Sequence, residues 1–207
     1  MIKTKCDAVD RFSFFENLSK IGAKQPSTGI FFDGCFAYIM DENAAGRIIV
    51  RDGNRTGTLF YDFKTGDTLK LDSSCIPKFE PQLENFFFIQ KRKVLSYIKN
   101  LRLSKRKMNT SFVHINAESD KIILKFYTKK REILGQFSQN LKLIKSAKSP
   151  HLSHFCKINL LYFTEILSHS FKEYDIIGIR YKNPEEVYLF GKNPKKPNIL
   201  WKLTKYK

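Results

Sequence analysis

The hydrophobic positions of the chain repeat one pattern three times: a stretch at helical spacing, then three strand-like stretches joined by short polar turns. In the first copy Phe12, Phe15, Leu18 and Ile21 recur every three residues and mark a helical face, which Gly22 and Pro26 end. Strands are predicted over 29–32, 36–40 and 47–51, with Asp33-Gly34 as the hairpin signal between the first two and 41–46 as the next turn. The second copy opens on a strand, Phe86-Phe87-Phe88-Ile89, that runs into a helix over 91–103 with Val94, Leu95, Ile98 and Leu101 on its apolar face. Strands over 111–116, 121–127 and 132–137 follow, separated by a polar turn at 117–120 and a basic one at 128–131. The third copy has a leading strand at 154–158 and a helix over 160–168 that buries Leu160, Phe163, Ile166 and Leu167. Its strands are predicted over 175–181, 186–190 and 199–204, with Asn183-Pro184 and the 191–197 stretch as turns.

The segments between the copies set the domain organisation. Residues 58–83 have two strand-like pieces, 58–63 and 68–71, around Thr65-Gly66-Asp67, and no helical period. The 77–81 stretch, bounded by prolines, reads as a connector, and 138–153, rich in Lys and Ser, as a linker. The expected fold class is therefore α+β, built of repeated helix-plus-three-strand units. Two domains are expected, 1–75 and 86–207, joined by a connector at 76–85, with two full units in the second.

Composition fits a globular chain: 42% of the 207 residues are hydrophobic and 28% charged. No apolar run reaches the roughly 18–20 residues that span a bilayer, and the opening Met1-Ile2-Lys3-Thr4-Lys5-Cys6-Asp7 lacks the apolar core of a secretory signal. An intracellular, cytoplasmic protein without a membrane partner is expected. Cys6, Cys35, Cys75 and Cys156 are scattered without a C-x-x-C pair and read as reduced thiols. His151, His154 and Cys156 offer three metal-type ligands but no fourth at suitable spacing, so no metal site is expected.

Charge changes the picture more. The net charge is +17, and it is unevenly distributed: residues 1–85 carry 11 basic and 12 acidic side chains, residues 86–207 carry 26 and 8. Such asymmetry points to a polyanionic partner, most commonly nucleic acid. The densest cluster lies on the second predicted helix. At 3.6 residues per turn, Arg92, Lys99, Arg102 and Arg106 fall on the side opposite Val94, Ile98 and Leu101. Lys91, Arg92, Lys99, Arg102, Lys105, Arg106 and Lys107 are accordingly the expected DNA-binding residues, with Lys129, Lys130 and Arg131 of the basic turn beside them. Weaker candidates are Lys192, Lys195 and Lys196 near the end of the chain and Arg11, Lys20 and Lys24 on the first helix. Such side chains bind phosphates without reading sequence, and binding of this kind weakens steeply with salt. Phe12, Phe15, Phe87 and Phe163 sit at regular core positions rather than on a stacking platform.

Catalytic signatures are missing. The sequence has no Gly-rich phosphate loop, no G-x-S-x-G and no H-E-x-x-H. Its only short acidic-x-Lys element is Asp62-Phe63-Lys64. No catalytic residue and no cofactor are expected.

Two stretches carry a family likeness. Phe14-Phe15-Glu16-Asn17-Leu18-Ser19-Lys20-Ile21 leads into Ile30-Phe31-Phe32-Asp33-Gly34, and Phe155-Cys156-Lys157-Ile158-Asn159 leads through a helix to a strand ending Gly178-Ile179-Arg180-Tyr181. In this layout the chain resembles the DNA sliding clamps, the processivity factors of DNA polymerases, and most of all the compact clamps of T4-like phages. The resemblance implies helices facing a central hole that holds duplex DNA, with sheets forming the rim. It implies a DNA-replication role without a reaction of its own: tethering a DNA polymerase or another replication protein to duplex DNA. It also implies self-association into a homo-oligomer, and a partner surface on the outer sheets near the connector and the C-terminus. This chain departs from the pattern in its reduced second unit at 58–83 and in its strongly basic charge. Both departures point to an open clamp-like viral or phage protein that grips DNA electrostatically, as herpesvirus-type processivity subunits do. The alternative reading is a non-enzymatic nucleic-acid-binding regulator or inhibitor of a host nucleoprotein.

Overall fold

Alternating hydrophobic positions bury one face of a strand, and three such strands in succession make an antiparallel meander. The computed structural model shows three of these meanders. It describes residues 3–19, 29–41, 44–50, 58–72, 74, 76, 79, 86–118, 120–140, 152–183, 186–191 and 197–204. The first meander is β1 (Gly29–Asp33), β2 (Phe36–Met40) and β3 (Ala44–Ile49), after helices α1 (Lys3–Phe12) and α2 (Phe14–Ser19). Strands β4 (Thr58–Asp62) and β5 (Thr68–Leu71) follow. The second unit is β6 (Phe86–Gln90), α3 (Lys91–Asn100), α4 (Lys105–Asn109), β7 (Phe112–Ala117), β8 (Lys121–Tyr127) and β9 (Ile133–Asn140). The third is β10 (Leu152–Asn159), α5 (Leu160–Glu165) continued by a π-helical turn Ile166–Ser170, β11 (Ile176–Asn183), β12 (Glu186–Gly191) and β13 (Ile199–Thr204).

These strands form two sheets, of nine strands in the order β5-β4-β1-β2-β3-β13-β12-β11-β6 and of four in the order β10-β7-β8-β9. The last two units exchange their leading strands: β6 pairs antiparallel with β11 and β10 with β7. Strand β4 takes the corresponding place beside β1. Pairing of β13 with β3, from Ile199 opposite Ile48 to Leu203 opposite Ala44, makes one sheet of the N-terminal and C-terminal strands.

The helices cover one face of the sheets. Val94 and Ile98 of α3 share a buried cluster with Val113 and Ile115 of β7, Ile122, Leu124 and Phe126 of β8, and Phe12, Phe15 and Trp201 from opposite ends of the chain. A Cβ on Gly46 of β3 would stand 2.6 Å from the Trp201 ring, so only glycine admits the indole there. Tyr162 of α5 donates its hydroxyl proton to Asp41 Oδ2 at 2.5 Å, and Asp41 Oδ1 accepts the Ala44 N–H at 3.2 Å. That pair ties the β2–β3 turn to the helical layer.

Several element boundaries differ from the sequence-based expectation. The first helix begins at Lys3, nine residues ahead of Phe12; among its described side chains Ala8 and Phe12 are fully buried, a spacing too sparse to register as a pattern. Strand β3 starts at Ala44 rather than Arg47, with Ala44, Gly46 and Ile48 as its inward positions. Strands β9 and β10 extend into the predicted linker. Its centre, 141–150, lies outside the described residues, as do 20–28, which hold Lys20 and Lys24. Cys35 is a free, exposed thiol. Among the described residues no helix is long and apolar enough to cross a membrane.

Candidate nucleic-acid interface

The helix predicted over 91–103 breaks after Asn100. The N–H groups of Leu101 and Arg102 close a tightened last turn on the carbonyls of Ile98 and Lys99, at 3.1 Å each. Arg102 then adopts a left-handed backbone at φ 50°, which costs a non-glycine residue energy and turns the chain sharply. Ser104 starts α4 by accepting the Lys107 N–H on its hydroxyl. At the far end of α4, Ser111 and Thr110 donate their hydroxyls to the Lys107 carbonyl at 2.7 and 3.1 Å. The break corrects the single-helix arrangement of Arg92, Lys99, Arg102 and Arg106: the first two lie on α3, Arg102 lies in the corner, and Arg106 lies on α4.

Lys91 needs a second correction. Expected on the phosphate-binding face, it is 6% exposed, and its ammonium donates to the carbonyls of Phe171 at 2.6 Å and Lys172 at 3.0 Å. Burial pushes its pKa down from the usual lysine value, against the opposing pull of nearby Asp175. The ammonium faces inward and serves the turn after the π-helical segment.

The other cations of this cluster are exposed. Arg92 reaches Asp175 at 2.9 Å, with both side chains largely in solvent, so the pair is weak and interruptible. Lys105 meets Glu165 of α5 at 3.0 Å, and the other oxygen of Glu165 lies 2.9 Å from His169 Nε2. Among the described residues Lys99, Arg102, Arg106 and Lys107 have no acidic partner. Lys93, absent from the sequence-based set, is also exposed on α3; its place in the basic triplet 91–93 is the signal that marks it.

Packing fixes this corner relative to the small sheet. Tyr97 of α3 stacks on Phe126 at 5.6 Å and accepts the Gln136 N–H at 2.8 Å. A Cβ on Gly135 would stand 2.5 Å from the Tyr97 hydroxyl and 3.1 Å from Leu101, so glycine permits the close approach. The β8–β9 turn with exposed Lys129, Lys130 and Arg131 lies a few residues from Gly135, at the same end of the sheet as the α3–α4 corner. Helix α5 is held against α4 by Asn159, which accepts the Tyr162 N–H at 3.1 Å and donates to the Asn109 carbonyl at 2.8 Å.

The weaker candidates divide. Arg11 is tied down, donating to the Ser170 carbonyl at 3.0 Å and to Glu173 at 2.7 Å. Lys192, Lys195 and Lys196 lie outside the described residues, as does His151, and the side chains of His154 and Cys156 are not described. Sequence reasoning missed Lys125 and Lys157, which flank His114 on the far face of the small sheet. Their signal was the alternation of Lys125 and Tyr127 with the inward Leu124 and Phe126.

Helix-plus-three-strand units with exchanged leading strands, helices on one face and a sheet running across the junction define the fold of the DNA sliding clamps. Three bacterial clamps of known structure share it. The H. pylori beta clamp matches with a TM-score of 0.64 at 11% identity, over 97% of this chain and 63% of that one. DNA polymerase III subunit beta of Borrelia burgdorferi gives 0.63 at 12% identity, covering 100% and 62%. The beta subunit of Streptococcus pyogenes DNA polymerase gives 0.61 at 10%, covering 100% and 65%. The chain thus spans less than two-thirds of the length of these clamps. No protein-family model matches the sequence, and no curated protein matches it.

Proposed function

We propose that the protein is a clamp-like processivity factor that tethers a DNA polymerase, or another DNA-acting enzyme, to duplex DNA and catalyses no reaction itself. The observation that carries this reading is the set of exposed cations on the helical layer of a clamp fold. Lys99, Arg102, Arg106 and Lys107 are free of acidic partners among the described residues, and Arg92 and Lys105 are held only by side-chain ion pairs. Phosphate contacts from such side chains give affinity without sequence preference. Lys129, Lys130 and Arg131 would extend the track. The compact, T4-like layout, the division into segments 1–75 and 86–207 around a connector, intracellular action at DNA and self-association all belong to the same proposal. Among the described residues of 58–83 the segment after β3 holds the strands β4 and β5 and no α-helix, which favours an open form over a closed ring of whole domains.

The test is binding to linear and closed-circular duplex DNA across a salt series, with molar mass followed by light scattering. An open clamp is expected to bind both forms alike, with a steep salt slope that flattens in an Arg102→Gln/Arg106→Gln variant. Retention of multimers on circles with loss from free ends would replace the open form by a topological ring. Absence of binding to either form would overturn the proposal.

A further inference from the structure

The face of the small sheet turned away from the helices carries a second cluster of rings and cations. Along β7, Val113, Ile115 and Ala117 point into the core, so Phe112 and His114 point out; along β8, Leu124 and Phe126 point in and Lys125 and Tyr127 out. The register sets them in two rows. Phe112 stands directly opposite Tyr127, while His114 lies between Lys157 of β10 and Lys125 of β8. The Phe112 and Tyr127 rings are stacked, with centroids 5.4 Å apart and planes 16° from parallel. The His114 ring lies 4.9 Å from Tyr127 and 5.1 Å from Phe112, and the Lys157 ammonium sits 4.5 Å over the Phe112 ring. Phe112 is 3% exposed and forms the floor, whereas His114 and Tyr127 keep part of their surface open.

The charged groups acting on His114 are cations. Lys125, Lys157 and Arg131 are near enough to His114 to oppose its protonation, and burial opposes it more strongly still. The imidazole is therefore a neutral ring at neutral pH, a stacking surface rather than another cation. Glu132, the acidic residue of the adjoining turn, is engaged by the Thr128 hydroxyl at 3.3 Å.

We propose that this face binds a short segment of single-stranded nucleic acid, its bases stacking on Tyr127 and His114 and its phosphates held by Lys125, Lys157 and Arg131. A strand of sheet repeats side chains on one face about every 6.6–6.8 Å, a spacing that lets unstacked bases and phosphates alternate over rings and cations. Base–aromatic stacking tolerates any base because each has a π-face, and cations beside the rings follow the backbone. An acidic peptide would satisfy the cations but leave the rings without a flat partner. A duplex hides its base faces and would gain nothing from them. The proposal shares Arg131 with the basic turn assigned to the duplex track, while Phe112, His114, Lys125, Tyr127 and Lys157 lie on the face of the sheet opposite the helical layer.

The test is fluorescence anisotropy with labelled oligo-dT, oligo-U and a blunt DNA duplex, and with polyglutamate as competitor. Urea midpoints of every variant establish that it is folded. Tyr127→Leu is expected to weaken oligo-dT or oligo-U binding about tenfold or more, and Tyr127→Phe to retain it, with duplex affinity unchanged in both. Arg102→Gln/Arg106→Gln is expected to do the reverse. Tighter binding of oligo-dT assigns the strand as DNA and tighter binding of oligo-U assigns it as RNA. Unchanged single-strand affinity in folded Tyr127→Leu, or competition by polyglutamate at equal charge concentration, would overturn the proposal.

Discussion

The indole of Trp201 on β13 stacks on the ring of Phe15 in α2, with centroids 5.4 Å apart and planes 16° from parallel, while Phe12 meets it edge-on at 5.6 Å. Residues from the two ends of the chain thus share one contact at the centre of the helical layer. Trp201 is fully buried, and its backbone pairs with Gly46 of β3, so the same side chain sits where the N-terminal and C-terminal strands join. Trp201→Ala is expected to cost about 3–5 kcal/mol, read as a lower urea midpoint by circular dichroism. Gly46→Ala should also destabilise, by collision with the indole, even though alanine is the better residue for a regular backbone.

Lys91 and the exposed cations make opposite predictions. Lys91→Met removes the donor to the Phe171 and Lys172 carbonyls, at a cost of about 1–3 kcal/mol in stability. Its effect on DNA affinity is expected to be small, because the ammonium is not presented to solvent.

Arg102→Gln/Arg106→Gln should leave the urea midpoint almost unchanged, both side chains being exposed. In duplex-DNA binding the slope of log K against log salt is expected to fall by about 2, from the loss of two phosphate contacts at about 0.9 each. A normal slope in this double variant would remove the α3–α4 corner from the interface.

Asn159 joins two helices with one side chain, capping α5 through Tyr162 and holding the end of α4 through the Asn109 carbonyl. Asn159→Ala is expected to cost about 1–2 kcal/mol. Hydrogen exchange should report the loss as faster exchange at the α4–β7 corner and the first turn of α5.

His114 gives a pH dependence of definite sign. Burial first, then Lys157, Lys125 and Arg131, hold its pKa below the ordinary imidazole value of 6.5. As pH falls below 6.5 the unfolded chain takes up a proton that the folded chain resists. Stability from this site is therefore present above that value and is lost as pH drops towards the folded pKa. An NMR titration should place the His114 midpoint below 6.5, and Lys157→Gln should move it part of the way back.

The three meanders were legible because each strand is a short run rich in apolar residues and each turn carries its own chemistry; β2, β5, β8 and β13 fall on the predicted residues. The α3–α4 corner was not. Nothing local to Leu101 and Arg102 forbids a helix, and the corner packs through Tyr97 and Leu101 on Gly135, about 35 residues further on. The buried state of Lys91 was hidden for a related reason: its acceptors belong to a turn 80 residues away.

What the sequence by itself determined is the alternation, the repeat and the charge asymmetry, all of which are properties of neighbouring residues and of composition. From these follow the fold class and the expectation of a polyanionic partner. Tertiary structure alone decided which leading strand joins which meander, that β3 and β13 make one sheet, and which lysines face solvent. Those outcomes depend on burying apolar faces and satisfying buried carbonyls between segments far apart in the chain, and no local pattern records such pairings.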